Sequence, residues 1–142
     1  MSAYTDSVRG KVFKISSNNP NGNSFLEYDL TNLIKGKKIK LKAFIKTESI
    51  IKGVQPYYVG KLCLKFKVGT VDYYEAVQNL MGSLDWKEHY AEADGDHPNV
   101  FVGNELTVFN VPANATNVTL YFGLQNCTGT IYFSNIQVVE VL

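Results

Sequence analysis

The sequence predicts an all-β fold, an antiparallel β-sandwich of the jelly-roll type formed as a single domain over residues 1–142. Three observations predict it. Stretches with a period of two recur along the chain, most clearly Lys37 to Thr47, Lys61 to Val68 and Val118 to Gln125, and that period buries one face of a strand. Clusters of Gly, Pro, Asn and Ser separate these stretches at short intervals, as turns do. No segment carries a convincing helical pattern, which leaves about eight to ten short strands to pack as two antiparallel layers.

Taken in order, Lys11 to Ser16 is a short strand with Val12 and Ile15 toward the core, and Ser17 to Ser24 (SNNPNGNS) is a dense turn cluster. Phe25 to Leu30 resumes as a strand, and Asn32 to Gly36 is a short connection. In Lys37 to Thr47, Ile39, Leu41, Ala43 and Ile45 share one face, while Lys38, Lys40, Lys42, Phe44 and Lys46 share the other. A helix would scatter these lysines around its circumference, so a strand is required. Glu48 to Gly60 reads as a long connection carrying Tyr57 and Tyr58. Lys61 to Val68 turns Leu62, Leu64, Phe66 and Val68 inward and Cys63, Lys65 and Lys67 outward.

Val71 to Val77 carries the pair Tyr73-Tyr74, Asn79 to Ser83 is a loop, and Asp85 to Glu92 is a strand with Trp86 near its start. Ala93 to Asn104 is a polar loop, longer than is usual in a compact domain, and reads as an elaboration at a binding edge. Pro112 ends the strand Leu106 to Asn110 by removing a ladder donor. Val118, Leu120, Phe122 and Leu124 then alternate with Thr119, Tyr121, Gly123 and Gln125. Asn126 to Gly129 is a turn, Ile131 and Phe133 resume the alternation, and from Asn135 to Val141 it loosens, as at a bulge.

Composition narrows the function. Hydrophobic residues make up 45% of the chain, within the globular range. A formal charge of +1 makes no case for a nucleic-acid or membrane partner, and there is no apolar run of membrane-spanning length. Cys63 and Cys127 allow at most one bridge, and two buried or idle thiols are the expectation. His89 and His97 are too few for a metal signature, and no nucleophile elbow, phosphate loop or HExxH motif is present. Acidic residues between Asp72 and Asp96 are numerous enough to pair, as glycoside hydrolysis needs. Acidic residues in loops are as a rule surface groups, however, and no catalysis is expected.

One further pattern points to a ligand class. Asp85-Trp86, Val111-Pro112-Ala113, Ala115-Thr116, Gly129-Thr130, Tyr132-Phe133 and Ile136 follow one another in that order. The pattern resembles carbohydrate-binding modules of families four, nine and twenty-two, galactose-binding-domain-like jelly rolls. The resemblance implies non-catalytic binding of a plant cell-wall β-glycan, such as β-glucan, xylan or a related hemicellulose, by a monomeric module of a larger secreted polysaccharide-degrading enzyme. It also implies a binding Tyr at position 121 with an acid two residues on. Gly123 stands at that place, which leaves Gln125 to take the polar role. The resembled modules hold a structural calcium through an acid of the last strand and an early acidic residue; Ser134 and Asn135 occupy the last-strand positions here, and neither is a carboxylate, so calcium is expected to be absent or weakly held and no other cofactor is expected.

A sugar site needs aromatic faces and neighbouring hydrogen-bonding groups. The candidates are Tyr121 and Gln125, the outward Phe44 with Lys42, the pairs Tyr57-Tyr58 and Tyr73-Tyr74, and Trp86. In each tyrosine pair one ring is expected to pack inward. Lys38, Lys40, Lys42 and Lys46 would form one cationic patch with Lys65 and Lys67 if their strands were neighbours. That patch reads either as a solvated face or as a seat for an anionic glycan. The alternative to a binding module is a structural or adhesion sandwich of a cell-surface or phage tail protein.

Overall fold

A computed structural model describes residues 2–6, 10–93, 101–102 and 105–142. Among them the chain forms eleven strands and one helical turn: β1 Ser2–Asp6, β2 Gly10–Ser17, β3 Asn23–Asp29, α1 Thr31–Ile34, β4 Lys38–Ile51, β5 Gly60–Val68, β6 Val71–Ala76, β7 Gly82–Tyr90, β8 Phe101–Val102, β9 Glu105–Asn110, β10 Thr116–Gln125 and β11 Thr128–Glu140. Most of the loop expected at Ala93 to Asn104, with Asp94, Asp96 and His97, lies outside the described residues.

The strands make two antiparallel sheets. The larger has seven strands in the order β1-β2-β11-β4-β9-β8, with β7 also paired to β4; the smaller has four in the order β3-β10-β5-β6. The chain passes from one sheet to the other at β2–β3, β3–β4, β4–β5, β6–β7, β9–β10 and β10–β11. This is the jelly-roll order of a two-layer sandwich.

The core follows the period of two. On β4, Ile39, Leu41, Ala43 and Ile45 are buried; on β5, Leu62, Leu64 and Phe66; on β10, Val118, Leu120, Phe122 and Leu124; on β11, Ile131 and Phe133. Phe122 joins the layers. Its ring lies 5.5 Å from Phe13 on β2 and 5.0 Å from Phe133 on β11, both in the opposite sheet, and stacks on Tyr28 at 6.2 Å.

Local exceptions to the pattern have identifiable causes. Thr47 is polar yet faces inward; its hydroxyl donates to the Gly82 carbonyl at 3.1 Å and accepts from the Leu84 N–H at 2.9 Å. Those bonds fill the gap where the β4–β7 register shifts, and β4 runs on to Ile51 rather than stopping at Thr47. The expected bulge in the last strand falls between Ser134 and Gln137, with Asn135 in the left-handed region at φ 54°. The connection expected at Asn32 to Gly36 contains the turn α1. Asp29 starts it, its carboxylate accepting from the Thr31 N–H at 3.0 Å and the Thr31 hydroxyl at 2.6 Å, which holds the Asp29 carboxyl below its usual range.

Because Phe122 touches rings from both layers, its truncation leaves a cavity that neither sheet can close alone. Phe122→Ala is expected to lose about 3–5 kcal/mol of unfolding free energy, measured by urea denaturation, with the largest effect in the steepness-corrected midpoint.

Candidate functional site

The outer face of the four-stranded sheet carries the candidate site. Inward burial of Leu120, Phe122 and Leu124 turns Thr119, Tyr121, Gly123 and Gln125 outward. Register then builds three rows across the sheet. Phe25 (β3), Gly123 (β10) and Lys61 (β5) form the first, and Glu27, Tyr121, Cys63 and Ala76 the second. Asp29, Thr119, Lys65 and Tyr74 form the third.

Two adjoining depressions open on this face. One, of about 340 Å³, is lined by Phe25, Glu27, Lys65, Tyr74, Thr119, Tyr121 and Gln125. The other, of about 450 Å³, is lined by Tyr57, Lys61, Cys63, Tyr74, Ala76, Tyr121 and Gln125. Tyr74, Tyr121 and Gln125 are common to both.

Tyr121 lies between two supports. The Phe25 ring sits 5.0 Å from it at 55°, and the Tyr121 hydroxyl hydrogen-bonds the sulfur of Cys63 on the neighbouring strand. Cys63 faces outward by register yet is only 1% exposed. Burial pushes its thiol up from 9.0 to about 12. Burial, and then the adjacent Cys63, also raises the Tyr121 hydroxyl.

Two further rings flank it. Tyr74 is 48% exposed, with the Lys65 ammonium 5.4 Å from its centroid. Tyr57 is 54% exposed and meets Tyr58 edge-on at 4.9 Å. The loop carrying them is pinned to the end of β10: the Gln125 N–H donates to the Val59 carbonyl, and the Gly53 N–H to the Tyr58 carbonyl. A Cβ on Gly53 would collide with the Asn126 carbonyl, so the close approach requires glycine there.

Of the sequence candidates, Tyr121, Gln125 and Tyr57 therefore meet in one place, and Tyr58 supports Tyr57 from behind. Tyr73 turns inward and stacks on Phe66 at 5.4 Å, leaving the outward place to Tyr74. Phe44, Lys42 and Trp86 lie on the outer face of the larger sheet, on the far side of the sandwich. There Trp86 packs 6.3 Å from Tyr132, whose ring lies within 5.8 Å of Lys14 and 5.5 Å of Lys46. The Tyr132 hydroxyl donates to Glu48 at 3.0 Å. The single lysine patch is not formed, because β4 and β5 belong to different sheets. Among the described residues no group of three or more His, Cys, Asp or Glu converges as a metal site would.

Sequence reasoning missed Phe25, Glu27 and Lys61, and placed Lys65 in a patch with the β4 lysines rather than beside Tyr121. The outward phase of Lys61 and Lys65 was readable from Leu62, Leu64 and Phe66; their adjacency to Tyr121 depends on β5 pairing with β10, which no local pattern encodes.

The two raised groups keep protons that the unfolded chain gives up at ordinary values. Their contribution to stability is complete below about pH 9 and is lost as the pH climbs toward 12, the value of the folded Cys63 thiol. Urea midpoints of the native chain relative to Cys63→Ala are expected to fall through that window. At pH 8 both buried thiols should resist iodoacetamide until the chain is unfolded; prompt alkylation of Cys63 would contradict its burial.

No protein-family profile and no curated protein sequence matches the chain. Solved structures do match in fold. A Clostridium thermocellum endo-1,4-β-D-xylanase 10B structure, comprising CBM22-1 and GH10 modules complexed with xylohexaose, aligns over 98% of this chain with a TM-score of 0.59 and 14% identity. An exo-β-agarase aligns over 99% with a TM-score of 0.50 and 10% identity. The chain spans about a quarter of the length of these structures, 24% and 22% respectively. The likeness is one of fold: an all-β sandwich.

Proposed function

We propose that the protein is a non-catalytic carbohydrate-binding module, and that the outer face of the four-stranded sheet receives a stretch of polysaccharide. The observation that carries this reading is the grouping of Tyr121, Tyr74, Tyr57 and Phe25 with Gln125, Glu27, Lys61 and Lys65 around two joined depressions. Rings supply faces for the apolar side of a pyranose, and the polar groups between them hydrogen-bond hydroxyls. A ring covering about 100 Å² contributes roughly 2.5 kcal/mol. Two or three rings, after the losses on association, give affinities on the order of micromolar to millimolar. Such weak contacts suit a repetitive polymer, on which many copies or sites act together.

Glu27 is the carboxylate among the lining side chains. Glycoside hydrolysis works through two carboxyl groups facing one bond, so this face supports binding rather than cleavage. The module would target a larger secreted polysaccharide-degrading enzyme to plant cell-wall β-glycan. The fold likeness to stretches of two longer carbohydrate-active chains supports that setting.

Affinity electrophoresis in gels containing xylan, xyloglucan, mixed-linkage β-glucan or polygalacturonate tests the reading. Retardation by at least one polymer is expected, reduced about tenfold or more in apparent affinity by Tyr121→Ala and by Tyr74→Ala. Trp86→Ala should leave it unchanged. The adjacent Tyr73→Ala should instead act on the fold, lowering stability by about 2–4 kcal/mol through loss of a partly buried ring packed on the core. Retardation by none of the polymers would favour the structural or adhesion sandwich.

A further inference from the structure

The two depressions differ in charge, and the difference identifies a ligand group. The first holds Glu27 beside Lys65. In the second, Lys61 is the charged side chain, set among Tyr57, Tyr74, Tyr121 and Gln125. Three lysines, Lys61, Lys65 and Lys67, share the outward phase of β5, and their surroundings are unequal. Lys67 pairs with Asp72 at 4.0 Å, and Lys65 rests over the Tyr74 ring at 5.4 Å. Lys61 is half-buried and forms no ion pair among the described residues.

The room beside Lys61 is the depression it lines with Tyr57, Tyr74, Tyr121 and Gln125. Gly123 separates Phe25 from Lys61 across the sheet. Its φ of 147° and the collision of any Cβ with the Ser24 carbonyl hold this position as glycine. A partly desolvated cation with no counter-charge is unfavourable until an anion reaches it. Burial accordingly holds the Lys61 ammonium below its usual range.

We infer that this depression takes a sugar residue bearing an anionic substituent, a carboxylate or a sulfate ester, seated on Lys61 with its ring against Tyr121. The inference rests on the reading of this face as a glycan site and refines its ligand. Charge and stacking act together: the rings hold the chain, and the ammonium selects which residue of it enters the depression.

Calorimetric titration separates the two levels. The probes are oligogalacturonate, a sulfated galactan oligosaccharide and a neutral xylo-oligosaccharide, each at low and high salt. The anionic probes should bind the native chain about tenfold or more tightly than the neutral one, with the preference shrinking as salt rises. Lys61→Met, which keeps the aliphatic stem, should remove the preference, the anionic probes losing more affinity than the neutral one. Lys61→Arg should restore it, and Lys65→Met should not affect it. A response to oligogalacturonate alone assigns a uronic acid, and a response to the sulfated probe alone assigns a sulfate ester; both support the inference. Equal binding of neutral and anionic probes, unchanged in Lys61→Met, overturns it while leaving the face a sugar site. Binding of none, with Tyr121→Ala indistinguishable from the native chain, overturns both.

Discussion

Phe122 cannot be buried between the sheets without turning Tyr121 and Gly123 away from them. That constraint organises both halves of the molecule. On the inner side Phe122 ties β10 to Phe13 and Phe133 of the opposite layer. On the outer side the same alternation aligns Tyr121 with Cys63 and Glu27, and Gly123 with Lys61 and Phe25. The site is thus held mainly by strands rather than by loops. Only Tyr57 is brought by a loop, and that loop is bonded back to β10 through Gln125. Positions fixed by a packed sheet cost little to order when a ligand arrives, which matters when the gross interaction is a few rings and hydrogen bonds.

The two outer faces both carry aromatics and lysines, but in different states. On the larger sheet Tyr132 is 7% exposed, covered by Lys14, Lys46 and Trp86, with its hydroxyl bound by Glu48. Glu48 also lies 3.6 Å from Lys46. Those charges are already matched to partners in the chain. On the smaller sheet Tyr74 and Tyr57 remain about half exposed, and Lys61 has no counter-ion among the described residues. An aromatic face with unmatched polar neighbours is the one that gains by meeting a ligand; a matched one would first have to give up its internal bonds.

Much of this was legible in the sequence, and the limits were physical. Alternation in Ile39–Ile45, Leu62–Val68 and Val118–Leu124 names the buried face of each strand, because that signal is local. Pairing is not local. Nothing in Lys40, Lys42, Lys65 and Lys67 tells that they divide between two sheets, so the expected common patch is split. The choice between Tyr73 and Tyr74 turned on one residue of phase, set by Phe66 across the β5–β6 ladder. Breaks in phase at Thr47 and Asn135 depend on hydrogen bonds and a left-handed backbone; the second left a trace in the sequence, as weakened alternation, and the first did not. The site's polar half escaped for the same reason as the patch: Lys61 and Glu27 become neighbours of Tyr121 only through pairing.

The most direct test of the account is chemical-shift mapping of the backbone amides during titration with neutral and acidic oligosaccharides. The account predicts saturable shifts concentrated at Phe25 and Glu27, Lys61 to Lys65, Tyr74 and Thr119 to Gln125, with the larger sheet quiet. Saturable shifts centred instead on Phe44, Trp86 and Tyr132 would place the ligand on the opposite face and contradict it.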